Sequence, residues 1–172
     1  MNVTLHKAII ESIEQVIELI NVCSTHYNDI SPVAESPIGK HVRHIIDHFW
    51  AFQEGINTGV IDYNLRHRDT YLERDPQLAL QALDDFVTWL NQTPNNNVEL
   101  TVITEISVSH CESISTPSNS HRELAYLVNH ALHHIAYANV LAKSIGLQPA
   151  DYLGVAPATA TYQREQNKTC AQ

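Results

Sequence analysis

Two short runs of histidine, far apart in the chain, hold the residues best suited to chemistry. One is His41-Val42-Arg43-His44-Ile45-Ile46-Asp47-His48 and the other is His130-Ala131-Leu132-His133-His134. Both lie in stretches patterned as amphipathic helix. Residues three and four apart share a helix face, so His130 and His134 point the same way, as do His41, His44 and His48. If the two helices pack together, at least three imidazoles converge. Three neutral imidazoles with an open fourth position form a catalytic zinc-type site, whereas a structural zinc site is closed by four protein ligands. His48 or His41 could supply that fourth ligand, which would make the protein a non-catalytic metal-stabilised bundle or sensor module. A histidine-lined pocket without metal, binding its ligand in a pH-dependent way, is the third reading.

The positions of these histidines on their helices support a shared site. At about 100° per residue, Leu124, Val128, Ala131, Leu132 and Ile135 form one apolar arc, with His130 and His134 at its edge. Val42, Ile45, Phe49, Phe52 and Ile56 form the corresponding arc of the earlier helix, bordered by His41, His44 and His48. A lone histidine at such a border is usually satisfied by a backbone carbonyl. Matching borders on two helices are harder to explain that way, because clustered desolvated imidazoles are costly unless paired. His133 falls about 60° from His130, on the solvent side. His6, His26, His67, His110 and His121 show no ligand spacing.

Composition narrows the function. The chain has 172 residues, 44% of them apolar, enough for one domain with a substantial core. Five glycines and no Gly-rich phosphate loop argue against nucleotide binding. A formal charge of -9 without a basic stripe argues against nucleic-acid partners. Cys23, Cys111 and Cys170 are widely spaced, as expected of reduced thiols in a cytoplasmic protein. The start, Met1-Asn2-Val3-Thr4-Leu5-His6-Lys7, lacks a signal-peptide pattern. No apolar run reaches the roughly 20 residues of a membrane span.

The elements that must position the histidines can be read from periodicity and caps. Residues 4–28 carry Ile9, Ile13, Val16, Ile20 and Cys23 at helical spacing, with Thr4 as the expected N-cap. A loop with Pro32 and Pro37 follows. A second helix opens at Pro37 and ends at Thr58-Gly59. Residues 60–75 read as a loop, and a third helix starts at Pro76, capped by Asp75. Its expected stripe is Leu78, Leu80, Leu83, Phe86, Val87 and Leu90. Thr93-Pro94-Asn95-Asn96-Asn97 ends it. Alternation over 98–106, weaker over 108–114, predicts a short β-hairpin between helices three and four. Ser120 and Glu123 have capping-box spacing at the start of the fourth helix, and Gly146 ends it. Residues 1–160 form one domain, and 161–172 read as a flexible tail. The expected class is mostly all-α, a four-helix bundle.

These residues also carry a resemblance. Ile38-Gly39-Lys40-His41-Val42-Arg43-His44-Ile45-Ile46-Asp47-His48-Phe49, Asp62-Tyr63-Asn64-Leu65-Arg66-His67-Arg68-Asp69 and Arg122-Glu123-Leu124-Ala125-Tyr126-Leu127-Val128-Asn129-His130-Ala131-Leu132-His133-His134 together resemble the DinB-like superfamily, which includes the DinB and YfiT proteins. Gly154-Val155-Ala156-Pro157-Ala158-Thr159 is similar to a closing segment of some members. The resemblance covers most of the chain from Ser36 to Thr159. It implies a four-helix bundle holding one metal on three histidines. A histidine followed three residues later by an acidic residue gives the first ligand, matched by His44 and Asp47. An H-x-x-x-H pair gives the others, matched by His130 and His134. His48 competes with His44 for its place.

The resemblance further implies zinc or nickel, frequent homodimers, and relatives that include thiol-dependent transferases, an isomerase of a small diacid adduct and hydrolase-like proteins. A small-molecule substrate, a low-molecular-weight thiol as co-reactant and no membrane or nucleic-acid partner are therefore expected. Asp47 and Glu123 are the nearest groups to orient the imidazoles, against the alternative that each is a solvated carboxylate, which is favoured for Asp47. Arg43, Arg66 and Arg68 could bind an anionic group or form ordinary ion pairs. Tyr63 and Tyr126 could donate hydrogen bonds near the metal or simply pack.

Overall fold

The structure is a computed structural model that describes residues 3–65, 67–68, 70–93 and 96–169. Arg66, Asp69, Cys170 and the expected break at Pro94-Asn95 lie outside the described residues. The chain is mostly helical, with a small three-stranded sheet. The elements are α1 (Val3–Cys23), α2 (Ile38–Thr58), β1 (Val60–Asp62), α3 (Pro76–Gln92), β2 (Glu99–Glu105), β3 (Ser113–Asn119), α4 (Ser120–Ser144) and α5 (Pro157–Thr169). No helix among the described residues is long and apolar enough to cross a membrane.

Each long helix buries a stripe that its sequence dictates. In α1, Ile9, Ile13, Val16, Ile20 and Cys23 are buried at steps of three and four. In α2 the buried set includes Val42, Ile45, Phe49 and Phe52, and in α4 it includes Leu124, Val128, Ala131, Leu132 and Ile135. The stripe of α3 is rotated from the expected one. Ala79, Ala82, Leu83, Phe86 and Leu90 face inward, while Leu78 is exposed. Small alanines let α3 approach its neighbours closely, and Phe86 stacks on Phe49 of α2 with ring centroids 4.8 Å apart. α4 packs on both α1 and α2, and α3 packs on both α1 and α2. This arrangement brings the histidine border of α2 against that of α4.

Helix ends follow their local chemistry with two differences from expectation. The Asp75 carboxylate accepts from the backbone N–H of Gln77 and Leu78, and Gly59 and Gly146 adopt left-handed φ of 81° and 88° where α2 and α4 stop. The first helix ends at Cys23 and passes into a short 3-10 turn at Ser24–His26; it already contains Thr4, which is therefore not its cap. At α4 the cap is Asn119, whose side chain accepts from Arg122 N–H at 3.0 Å. The expected Ser120–Glu123 box does not form. Ser120 Oγ instead accepts from Val98 N–H at 3.0 Å, and the Glu123 carboxylate turns inward to partners on the sheet side.

The hairpin is present, with β2 and β3 antiparallel from Glu99↔Asn119 to Glu105↔Ser113. Its second strand starts later than 108–114. β3 is an exposed edge, so no buried face imposes alternation on it, and Pro117 is tolerated there because an edge strand need not donate on both sides. The expected loop at 60–75 contributes strand β1, which pairs in parallel with β2 through Ile61↔Val102. It also holds a 3-10 turn at Tyr71–Glu73. Pro157–Thr169, which include the start of the expected tail, form α5. That helix is exposed on nearly all its faces and carries no apolar stripe for periodicity to detect.

Candidate metal centre

His44 on α2 and His130 and His134 on α4 come together. One ring nitrogen from each lies within 4.8 Å of the others. Ring centroids are 4.4 Å apart for His44–His134, 5.0 Å for His44–His130 and 4.6 Å for His130–His134, with the rings edge-on to each other. All three are half-buried. The i,i+4 spacing on α4 places His130 and His134 one turn apart on one face, and the contact between α2 and α4 brings His44 between them. Ligands about 2.0–2.1 Å from a tetrahedral ion have nitrogens roughly 3.4 Å apart, a spacing inside the 4.8 Å within which these three lie. Among the described residues, neither His41 nor His48 belongs to the group.

His48 is buried beside the cluster. Its Nδ1 donates to the His44 carbonyl at 3.0 Å. Its ring lies against His130, with centroids 3.9 Å apart and planes 25° apart, and against Tyr63 at 4.9 Å. His41 approaches from the other side, with its Nδ1 3.3 Å from His134 Nδ1 and its ring 4.9 Å from that of Tyr137. Burial, helped by the nearby Arg43 charge, lowers the pKa of His41 below its ordinary value. His133 is exposed, as expected.

Two openings flank the cluster. A cleft of about 310 Å³ is lined by Glu35, His41, His133, His134 and Tyr137 and exposes one of the three imidazoles to solvent. A second cavity of about 270 Å³ is lined by Tyr63, Thr116, Ser118, Arg122, Glu123 and Tyr126. The Tyr126 ring, 5.4 Å from that of His130, separates this cavity from the cluster.

The two carboxylates expected to orient the imidazoles are placed elsewhere. Asp47 is not solvated; it is 3% exposed. It accepts from Arg43 Nη1 at 2.6 Å and pairs with His67 Nδ1 at 2.7 Å. Arg43 in turn donates Nε–H to Glu73 at 3.0 Å. Arg43, read as a possible anion binder, is thus the centre of a buried ion network that ties α2 to the following loop. Arg68 is exposed. Glu123 is fully buried and accepts from Tyr63 Oη at 2.8 Å, from Arg122 Nη1 at 2.7 Å and from Ser118 Oγ. Burial and the Glu123 charge hold the Tyr63 phenol well above its ordinary pKa. Glu123 therefore fixes Tyr63, which in turn packs on His48. Tyr126 packs among Tyr63, His48 and His130, and the Arg122 guanidinium lies 5.4 Å over its ring.

Among the described residues, no cysteine belongs to the cluster. Cys23 is in the core, where burial pushes its thiol up to about 11, and Cys111 is exposed beyond β2. The roles of Glu73 and His67 were not legible in sequence, since neither has regular spacing to its partner. The Arg43–Asp47 pair was legible from its i,i+4 spacing. Comparison with known proteins finds no matching family model, curated protein or solved structure.

Proposed function

We propose that this protein is a divalent-metal-dependent enzyme with a four-helix-bundle fold of the DinB-like type, its ion held by His44, His130 and His134. The observation that carries the reading is the convergence of three half-buried imidazoles from two helices, with no cysteine and no fourth donor in the group among the described residues. An all-imidazole set suits zinc or nickel and is a poor match for magnesium or calcium, which take oxygen ligands. A bound ion of this kind can lower the pKa of its water to about 7 or hold a thiolate. The reaction class is thiol-dependent transfer or hydrolysis of a small molecule, taken up through the cleft beside His134. Tyr63, Tyr126 and His48 form an aromatic wall on the opposite side.

The test is a screen of zinc- and nickel-loaded protein for thiol-dependent conjugation of electrophiles and for ester or amide hydrolysis. Activity that follows metal loading and is lost in His44→Ala supports the reading. Metal-loaded protein that is inert in every assay, with substrate-independent effects of metal on stability, favours a structural or sensor role.

His48 separates these two roles directly. His48→Ala leaves metal content intact while changing activity or ligand affinity, because His48 lines the site through its bond to the His44 carbonyl. A fall in affinity by orders of magnitude would instead make His48 a fourth ligand and the site structural.

The protein is also proposed to be a homodimer. Tyr137 and Val140, exposed at 44% and 58% and one helical step apart on α4, are suited to a contact with a second copy. Light scattering at micromolar concentration gives twice the chain mass if this holds, and the chain mass if it does not.

A further inference from the structure

His41 stands outside the metal group but faces one of its members, nitrogen to nitrogen. The two Nδ1 atoms of His41 and His134 are 3.3 Å apart, and only one of them can carry the proton between them. A neutral imidazole binds a metal through its bare nitrogen and keeps its proton on the other. With Nδ1 of His134 facing His41, an ion held by His134 is held through Nε2. We infer that His41 is a positioning residue for the metal centre: its Nδ1 accepts the Nδ1–H of His134, holding that ring in the one tautomer that presents a bare Nε2.

Two further observations agree with this role. With its Nδ1 accepting, His41 must carry its own proton on Nε2, and that atom is buried without a hydrogen-bond partner among the described residues. No donor reaches that atom to hold it bare and force the His41 proton onto Nδ1, the opposite arrangement. His41 is also held in place from outside, by its contact with the Tyr137 ring and by its position three residues before His44 on α2. Metal-binding histidines usually pass this proton to a carboxylate or carbonyl. Here the two carboxylates expected to orient the imidazoles are committed elsewhere: Asp47 to Arg43 and His67, and Glu123 to Tyr63, Ser118 and Arg122.

The inference rests on the metal reading above, and the experiment separates the two. Zinc affinity of the full chain is measured by competition with a chelating dye for wild type, His41→Asn and His41→Leu. Asn offers a carbonyl oxygen near the place of Nδ1 and can accept; Leu cannot. The expected loss is about 10- to 100-fold for His41→Leu, with His41→Asn close to wild type. Equal affinities in all three proteins overturn the role of His41 and leave the metal centre standing. Equal losses in both variants also overturn it, since an acceptor would not then be what matters. Wild type that takes up no zinc overturns the metal centre itself.

Should His41→Leu fail to fold, imidazole nitrogen NMR of zinc-loaded wild type decides alone. The expected spectrum shows His134 protonated at Nδ1 and metal-bound at Nε2. Metal bound at Nδ1 of His134, or a proton on Nδ1 of His41, overturns the assignment.

Discussion

His130→Ala combined with His134→Ala abolishes stoichiometric metal binding. The double variant removes two of three donors, both from one face of α4, and leaves His44 alone. A single imidazole cannot hold an ion against water at micromolar concentration, so the expected change is complete loss of binding. The fold should survive. The packing of α4 rests on Leu127, Ala131 and Ile135, all fully buried on the neighbouring face, while both histidines are only half-buried. Thermal unfolding supplies a second readout. Zinc at a hundredfold excess over its dissociation constant stabilises a protein by about 2.7 kcal/mol. For a chain of this size that corresponds to roughly 5–10 °C in Tm. Wild type shows this rise on adding zinc and the double variant shows none. Unchanged metal content in the double variant would place the ion elsewhere.

Arg43→Met lowers stability by about 3–5 kcal/mol. Arg43 joins two carboxylates, Asp47 at 2.6 Å and Glu73 at 3.0 Å, and all three side chains are at least nine-tenths buried. A buried ion pair adds little over a well-packed apolar pair, but removing one partner strands the other charge in a low-dielectric site. Here two carboxylates lose the cation they share. Met keeps most of the chain length, so a cavity contributes little. The loss is a large share of a typical total of roughly 5–15 kcal/mol, and urea unfolding measures it as a fall in midpoint. A change as small as that of a surface pair would contradict the network. Lys143→Ala is the internal comparison. Lys143 pairs with the almost fully exposed Asp151 at 2.7 Å, and its loss should be barely detectable.

Elements whose apolar residues face a core were readable in advance, and elements without such a face were not. Ile9, Ile13, Val16, Ile20 and Cys23 announce α1 because burial selects for a helical period. β3, rich in serine and exposed at the sheet edge, has no burial to select for alternation, and neither does α5. β1 is three residues long and owes its place to pairing with β2 some forty residues away in sequence. The cap of α4 was misplaced by one residue because Asn119 and Ser120 are both good caps. The deciding factor, capture of Glu123 by Tyr63, is a contact across 60 positions.

The same division holds at the site. The spacing of His130 and His134 shows their common face, and the apolar arcs of α2 and α4 show that the two histidine borders could meet. Local pattern does not distinguish His41, His44 and His48, which share a face. Packing distinguishes them: His44 meets the pair, His48 is drawn to the His44 carbonyl and to Tyr63, and His41 reaches His134 from outside the group. The burial of Asp47 was hidden for a similar reason. Its neighbours Glu73, through Arg43, and His67 come from a loop with no periodic signal.

Metal titration of the purified wild-type chain, stripped with chelator and then given zinc under isothermal calorimetry, decides whether the three histidines hold an ion. The expected result is saturation at one ion per chain. Saturation at no ion, or binding that persists unchanged when His44, His130 and His134 are all replaced by alanine, would contradict it.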